Sequence, residues 1–146
     1  MTVIAWDGKT LAADKCATVY GVKSTVTKIF RNGDILVGLS GDYSHSLAMM
    51  EWLFDGRPRN EFPAPQGDNW GYMLAIHRSG KIERYEHSPY PFVIEDAQHA
   101  NGSGKEFATC AMYLGKTAAQ AVAIACVFCA DCGMGIDTLT FDDPPA

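Results

Sequence analysis

Three residues near the start of the chain have types and spacing that could do chemistry together: Thr2, Asp14 and Lys28. With Met1 removed, Thr2 carries a hydroxyl nucleophile and a free α-amine in one residue. The amine's unperturbed pKa of about 7.7–8.0 suits a general base near neutral pH. A hydroxyl attacking a carbonyl also needs a positive neighbour, and Lys28 lies in the otherwise apolar run VTKIF. A lysine there is out of place unless paired. Asp14 ends the run LAAD and is the candidate partner. Taken singly, each residue reads more simply as a strand-starting threonine, a turn aspartate or an exposed edge-strand lysine.

The elements that must position these residues follow from the apolar pattern. Residues 2–6 and 10–14 read as a hairpin turning at Asp7-Gly8, and 26–31 and 35–40 as another turning at Asn32-Gly33. Two consecutive hairpins are therefore expected over residues 2–41. Tyr43, Leu47, Met50 and Phe54 mark one face of a helix. Residues 56–69 hold three prolines and two glycines and read as loop. A hairpin over 70–77 and 81–86, joined at Ser79-Gly80, precedes a short strand at 91–95. Helices are expected over 105–114 and from Ala118 to about Ala130, the second capped by Thr117 and apolar nearly all round, hence buried on several sides. A closing strand covers 136–141. This order is not the βαβ alternation of a doubly wound sheet. Two packed antiparallel sheets with helices outside satisfy it, as a single domain over residues 1–146.

In their order these pieces resemble the proteasome β-subunit family of N-terminal-nucleophile hydrolases, and HslV, the peptidase subunit of the bacterial two-component protease. The matching features are Thr2, LAAD ending at Asp14, VTKIF with Lys28 and, five residues before it, Lys23. The stretch RNGDILVGLSG with Gly41, and ANGSGKEFA with the Gly102-Ser103-Gly104 turn, complete the pattern. The resemblance implies an α+β fold, a four-layer α-β-β-α sandwich of two antiparallel sheets, with one helix shortened or missing where the proline-rich loop stands. It implies a threonine-type peptidase or amidase: Thr2 as nucleophile with its own amine as base, Lys28 lowering the hydroxyl's effective pKa, and Asp14 holding Lys28 charged. The Gly41 N–H would stabilise the oxyanion, Ser103 would relay the amine's proton, and Asp131 would orient Ser103 and the N-terminal residue. Peptide or protein substrates and a homo-oligomer follow. The loss of a helix argues against an obligatory ATPase partner. The competing expectation is a catalytically silent structural or assembly protein on the same fold.

Bulk properties set other classes aside. A formal net charge of −5 over 146 residues gives no footprint for nucleic acid. No apolar run is long enough for a membrane-spanning helix and the start of the chain does not read as a signal peptide, so the cytoplasm is the expected compartment. Five cysteines, an odd number, do not read as a disulfide scaffold. The run Cys126-x-x-Cys129-x-x-Cys132 lacks the fourth cysteine and proline of an iron–sulfur motif, and all three are expected on the buried last helix, reduced and without metal. Gly102-Ser103-Gly104-Lys105 lacks the first glycine of a phosphate loop, and Gly38-Leu39-Ser40-Gly41 is not a nucleophile elbow. The four histidines have no metal-ligand spacing, and no cofactor is implied.

Overall fold

The structure is a computed structural model and describes residues 2–144. Its strands and helices run in the order β1 (Val3–Trp6), β2 (Leu11–Asp14), β3 (Cys16–Val19), β4 (Val22–Thr25), β5 (Ile29–Asn32), β6 (Ile35–Gly41) and α1 (Tyr43–Phe54). They continue with β7 (Gly71–His77), β8 (Ile82–Tyr85), β9 (Phe92–Ile94), β10 (His99–Gly102), α2 (Lys105–Tyr113), α3 (Ala118–Phe128) and β11 (Ile136–Leu139). One sheet has the order β10-β1-β2-β11 and another β5-β6-β7-β8-β9; β3 and β4 form a separate two-stranded hairpin. All pairings between strands are antiparallel.

Side-chain alternation builds the layers. On β1 and β2, Val3, Ala5 and Ala12 pack against α2 and α3, while Ile4, Trp6, Leu11 and Ala13 face the second sheet. The second sheet answers with Ile29, Leu36, Leu74 and Ile76. Its other face, with Val37, Leu39, Met73 and Ala75, packs on Met49 and Trp52 of α1. The result is the expected four-layer α-β-β-α sandwich. At Gly38 a Cβ would stand 2.8 Å from the Ile4 side chain, so glycine there sets how closely the sheets approach.

The outer layer beside the second sheet contains α1 as its sole α-helix among the described residues. The proline-rich segment after it lies over this helix. Phe62 packs edge-on against Trp52 at 5.0 Å, and Trp52 Nε1 donates to the Pro58 carbonyl at 3.0 Å. Asp42 caps α1 by accepting from the His45 N–H. Thr117 and Gln120 form a reciprocal capping box on α3, as the sequence predicts for Thr117.

Four expectations need correction. A third hairpin, β3–β4, stands between the two expected over residues 2–41, turning through Tyr20 and Gly21, both with positive φ. Next, α3 is not buried all round: Val127 and Phe128 are exposed, and Phe107 of α2 stacks on Phe128 at 5.6 Å. The helix also stops at Phe128 rather than near Ala130, because Cys129 takes an extended conformation. Cys126 is therefore the one cysteine of the motif inside α3, and Cys129 and Cys132 lie beyond it. Nor are the cysteines uniformly buried, since Cys110 is exposed and Cys126 and Cys129 are half-buried.

Candidate active site

Pairing of β1 with β10 puts Val3 opposite Gly102 and so brings Thr2 beside Ser103, 101 positions away in the chain. The Thr2 N–H donates to Ser103 Oγ at 3.1 Å, and Ser103 Oγ donates to the Thr2 carbonyl at 3.2 Å. The Gly104 N–H donates to the same carbonyl. Gly102 is required for this contact: its φ is +92°, and a Cβ would fall 2.2 Å from the Thr2 carbonyl oxygen. Thr2 is itself buried. Loss of Met1, which lies outside the described residues, would turn the nitrogen facing Ser103 into the α-amine.

Beneath Thr2 lies an ion pair shielded from water. Lys28 Nζ donates to Asp14 Oδ1 at 2.9 Å, with side-chain exposures of 4% and 0%. Asp14 also accepts the N–H groups of Val3, at Oδ1, and of Cys16 and Gly133, at Oδ2. Both carboxylate oxygens are thus held, which fixes the ammonium's position. Burying two charges costs free energy that pairing does not always recover, so this arrangement contributes little net stability relative to an apolar equivalent. The pairing foreseen for Asp14 and Lys28 is present; the three backbone donors were not visible in the sequence.

Gly41 ends β6 with φ +71°, and a Cβ there would meet the Trp70 carbonyl and the Tyr72 ring, each at 2.7 Å. Two clefts open on either side of Thr2 and Gly41. One, of about 420 Å³, is lined by Thr2, Ser40, Gly41, Tyr72, Arg84 and Lys105. The other, of about 320 Å³, includes Thr2, Lys28, Gly41, Cys16, Thr18 and Tyr43 in its lining. Thr2, Asp14, Lys28, Gly41 and Ser103 therefore converge. Lys23 lies on the exposed β4.

Asp131 occupies the turn after α3, and among the described residues no hydrogen bond joins its carboxylate to Ser103 or Thr2. Sulfur stands at that corner instead. Ser103 Oγ is 3.8 Å from Cys129 Sγ and 4.0 Å from Cys132 Sγ. Burial pushes the Cys132 thiol up to about 12, aided by its hydrogen bond to Cys129. Burial also raises Cys129, but hydrogen bonds with Cys132, the Asp131 backbone and Ser103 outweigh it and leave this thiol below its ordinary value. The spacing Cys-x-x-Cys-Gly was the sequence signal for this corner, once α3 is known to end before it.

No protein-family model matches the chain, and no curated protein matches it. Solved structures do. "Thiobacillus denitrificans BPH in complex with Epoxomicin" aligns with TM-score 0.68 and 18% identity, covering 94% of this chain and 96% of that one. "Thiobacillus denitrificans BPH" aligns with TM-score 0.69 and 20% identity, over 94% and 95% of the two chains. Eukaryotic HslV from Trypanosoma brucei gives TM-score 0.71 and 20% identity, over 94% and 97%. At these identities the likeness is one of fold, and it extends over nearly the whole described sandwich. The chain has the HslV-like, proteasome-like fold of the N-terminal-nucleophile hydrolases.

Proposed function

We propose that this protein is a threonine-type peptidase or amidase whose nucleophile is Thr2, exposed as the N-terminal residue by removal of Met1. The observation that carries the reading is the buried Lys28, paired with Asp14, which lines one cavity together with Thr2 and Gly41. Its chemistry runs through this chain's own groups. The α-amine of Thr2 accepts the hydroxyl proton, and the fixed Lys28 ammonium favours the developing alkoxide. The oxygen attacks the scissile carbonyl, and the Gly41 N–H stabilises the resulting oxyanion. The amine then delivers its proton to the leaving nitrogen, releasing one product and leaving an acyl ester on Thr2. Water, deprotonated by the amine, hydrolyses the ester. Ser103, bonded to the Thr2 nitrogen, orients it and relays the proton. Clefts on both sides of Thr2 suit a chain that extends past the cleaved bond in both directions.

Assembly as a homo-oligomer in the cytoplasm, without an obligatory ATPase, belongs to the same proposal. Among the described residues no helix is long and apolar enough to cross a membrane. The exposed apolar surface that favours self-association is on α2 and α3, where Phe107, Tyr113, Val127 and Phe128 are exposed, with Leu114 just past the end of α2.

The reading is tested with a broad library of internally quenched peptides and protein lacking Met1. Turnover that disappears in Lys28→Met and persists in part in Thr2→Ser supports it. Folded, processed protein that cleaves nothing and takes up no peptide epoxyketone is a silent scaffold.

A further inference from the structure

We propose that Cys129 and Cys132 form a thiol modification site, oxidised by low-molecular-weight disulfides such as oxidised glutathione, and that the bond they form alters Thr2 through Ser103 and Gly133.

The geometry is built for that bond. The Cys132 N–H donates to the Cys129 carbonyl at 3.2 Å, closing a four-residue turn. Such a turn holds its end Cα atoms within about 7 Å, which overlaps the span of about 4.4–6.8 Å that a disulfide needs. The two sulfurs are already 3.1 Å apart, joined by a thiol hydrogen bond. Cys129 is half-buried and reachable, whereas Cys132 is buried. This asymmetry orders the steps. The Cys129 thiolate attacks one sulfur of the small disulfide, forming a mixed disulfide and expelling one thiolate, which takes up a proton. Cys132 then loses its proton and attacks Cys129 Sγ, forming the intramolecular bond and expelling the second thiol. Two protein thiols are oxidised, and one small disulfide is reduced to two thiols. The depressed Cys129 thiol and elevated Cys132 thiol fit these roles of attacking and resolving cysteine.

Coupling to the site runs along two short routes. Ser103 Oγ touches both sulfurs and bonds both the nitrogen and the carbonyl of Thr2. Oxidation removes both S–H donors from this corner and draws the sulfurs from 3.1 Å to about 2.05 Å. Gly133, the next residue after Cys132, donates its N–H to Asp14 Oδ2 at 3.1 Å, and Asp14 holds Lys28. A displacement of Cys132 therefore reaches both the amine and the ammonium. The consequence for activity rests on Thr2 being the nucleophile; the disulfide and its structural effect do not.

The test equilibrates Met1-free protein with oxidised or reduced glutathione and reads three things in parallel: intact mass with peptide mapping, amide exchange at Gly104 and Gly133, and the rate of epoxomicin uptake. The expected result is a species lighter by two hydrogens, with the bond mapped to Cys129 and Cys132. Both amides should exchange faster, and labelling should be slower by about tenfold or more, all reversed by dithiothreitol. Cys129→Ser should show one exchange pattern and one labelling rate in both buffers, whereas Cys132→Ala should stop at the mixed disulfide, gaining one glutathione mass at Cys129 in the oxidised buffer and forming no intramolecular bond. Absence of the bond in oxidised glutathione overturns the modification site. A bond that leaves amide exchange at both glycines unchanged overturns the coupling. If neither form takes up epoxomicin, the threonine reading fails, and the mass and exchange data still decide this proposal.

Discussion

Lys28 with Asp14, and Lys15 with Asp137, are the same two residue types with opposite surroundings. The first pair is shut away from water at the end of β2, with side-chain exposures of 4% and 0%. The second sits at the rim at 2.5 Å, with exposures of 21% and 34%. At the rim, water and salt screen the charges, and such pairs are worth about 0–1 kcal/mol. In the floor, solvation is given up for both ions, and four hydrogen bonds to Asp14 hold the carboxylate and ammonium in place. The difference teaches that an ion pair's type does not say what it is for. On the proposed reading, a pair that contributes little net stability yet is fully fixed serves the charge it presents to Thr2.

The largest expected contrast follows from that. Asp14→Ala leaves the Lys28 ammonium without its carboxylate and three backbone donors without an acceptor, and should lower unfolding free energy by about 3–5 kcal/mol. Asp137→Ala should cost no more than about 1 kcal/mol. Urea unfolding of the two variants beside the parent checks both; equal losses would erase the distinction between floor and rim.

Glycines sharpen the same comparison. Gly102 and Gly115 share φ +92°, but a Cβ at Gly102 meets the Thr2 backbone at 2.2 Å, whereas one at Gly115 meets nothing within 4 Å. Gly115→Ala should therefore carry the left-handed conformational penalty alone, about 1–2 kcal/mol. Gly102→Ala must add separation of β1 from β10 and should cost more, with loss of Thr2 reactivity as well. Thermal melts and epoxomicin uptake on the two variants give the answer.

A smaller effect is expected with pH. Burial, and then the charge of Arg84, lower the pKa of His99 on β10 below 6.5, and its Nε2 is buried with no hydrogen-bond partner among the described residues. The folded state thus disfavours the imidazolium. Below the unfolded value of about 6.5 the unfolded chain binds the proton more readily, so stability should fall as pH drops from 7 towards 5. His99→Gln should flatten that slope, measured as the urea midpoint against pH. An unchanged slope would show that other groups carry it.

Much of this site was legible before folding, and the reason is chemical. A lysine inside VTKIF and an aspartate closing LAAD are costly in apolar strands, so their types announce a pairing. The Gly102-Ser103-Gly104 turn was visible too, although only the β1–β10 register explains why Gly102 has no side chain. The β3–β4 hairpin was not legible. Every residue of β4 is exposed, so no alternation marks it, and its turn starts with Tyr20 in a left-handed conformation that favours other residues. The Asp131 corner was obscured by the end of α3. No glycine stops that helix at Phe128, and apolar residues continue past it, so Cys129 and Cys132 read as helical and buried. Ending the helix at Cys129 instead turns both sulfurs towards Ser103.

The central claim is that Thr2 reacts through its own amine, over the buried ammonium of Lys28. Intact-mass analysis of epoxomicin-treated protein tests it most directly, on matched samples with and without Met1 and on Met1-free Lys28→Met. The account predicts one inhibitor mass on the Met1-free protein, mapped to Thr2, and none on the other two. Uptake by the Met1-retaining form, or undiminished uptake by Lys28→Met, would contradict it.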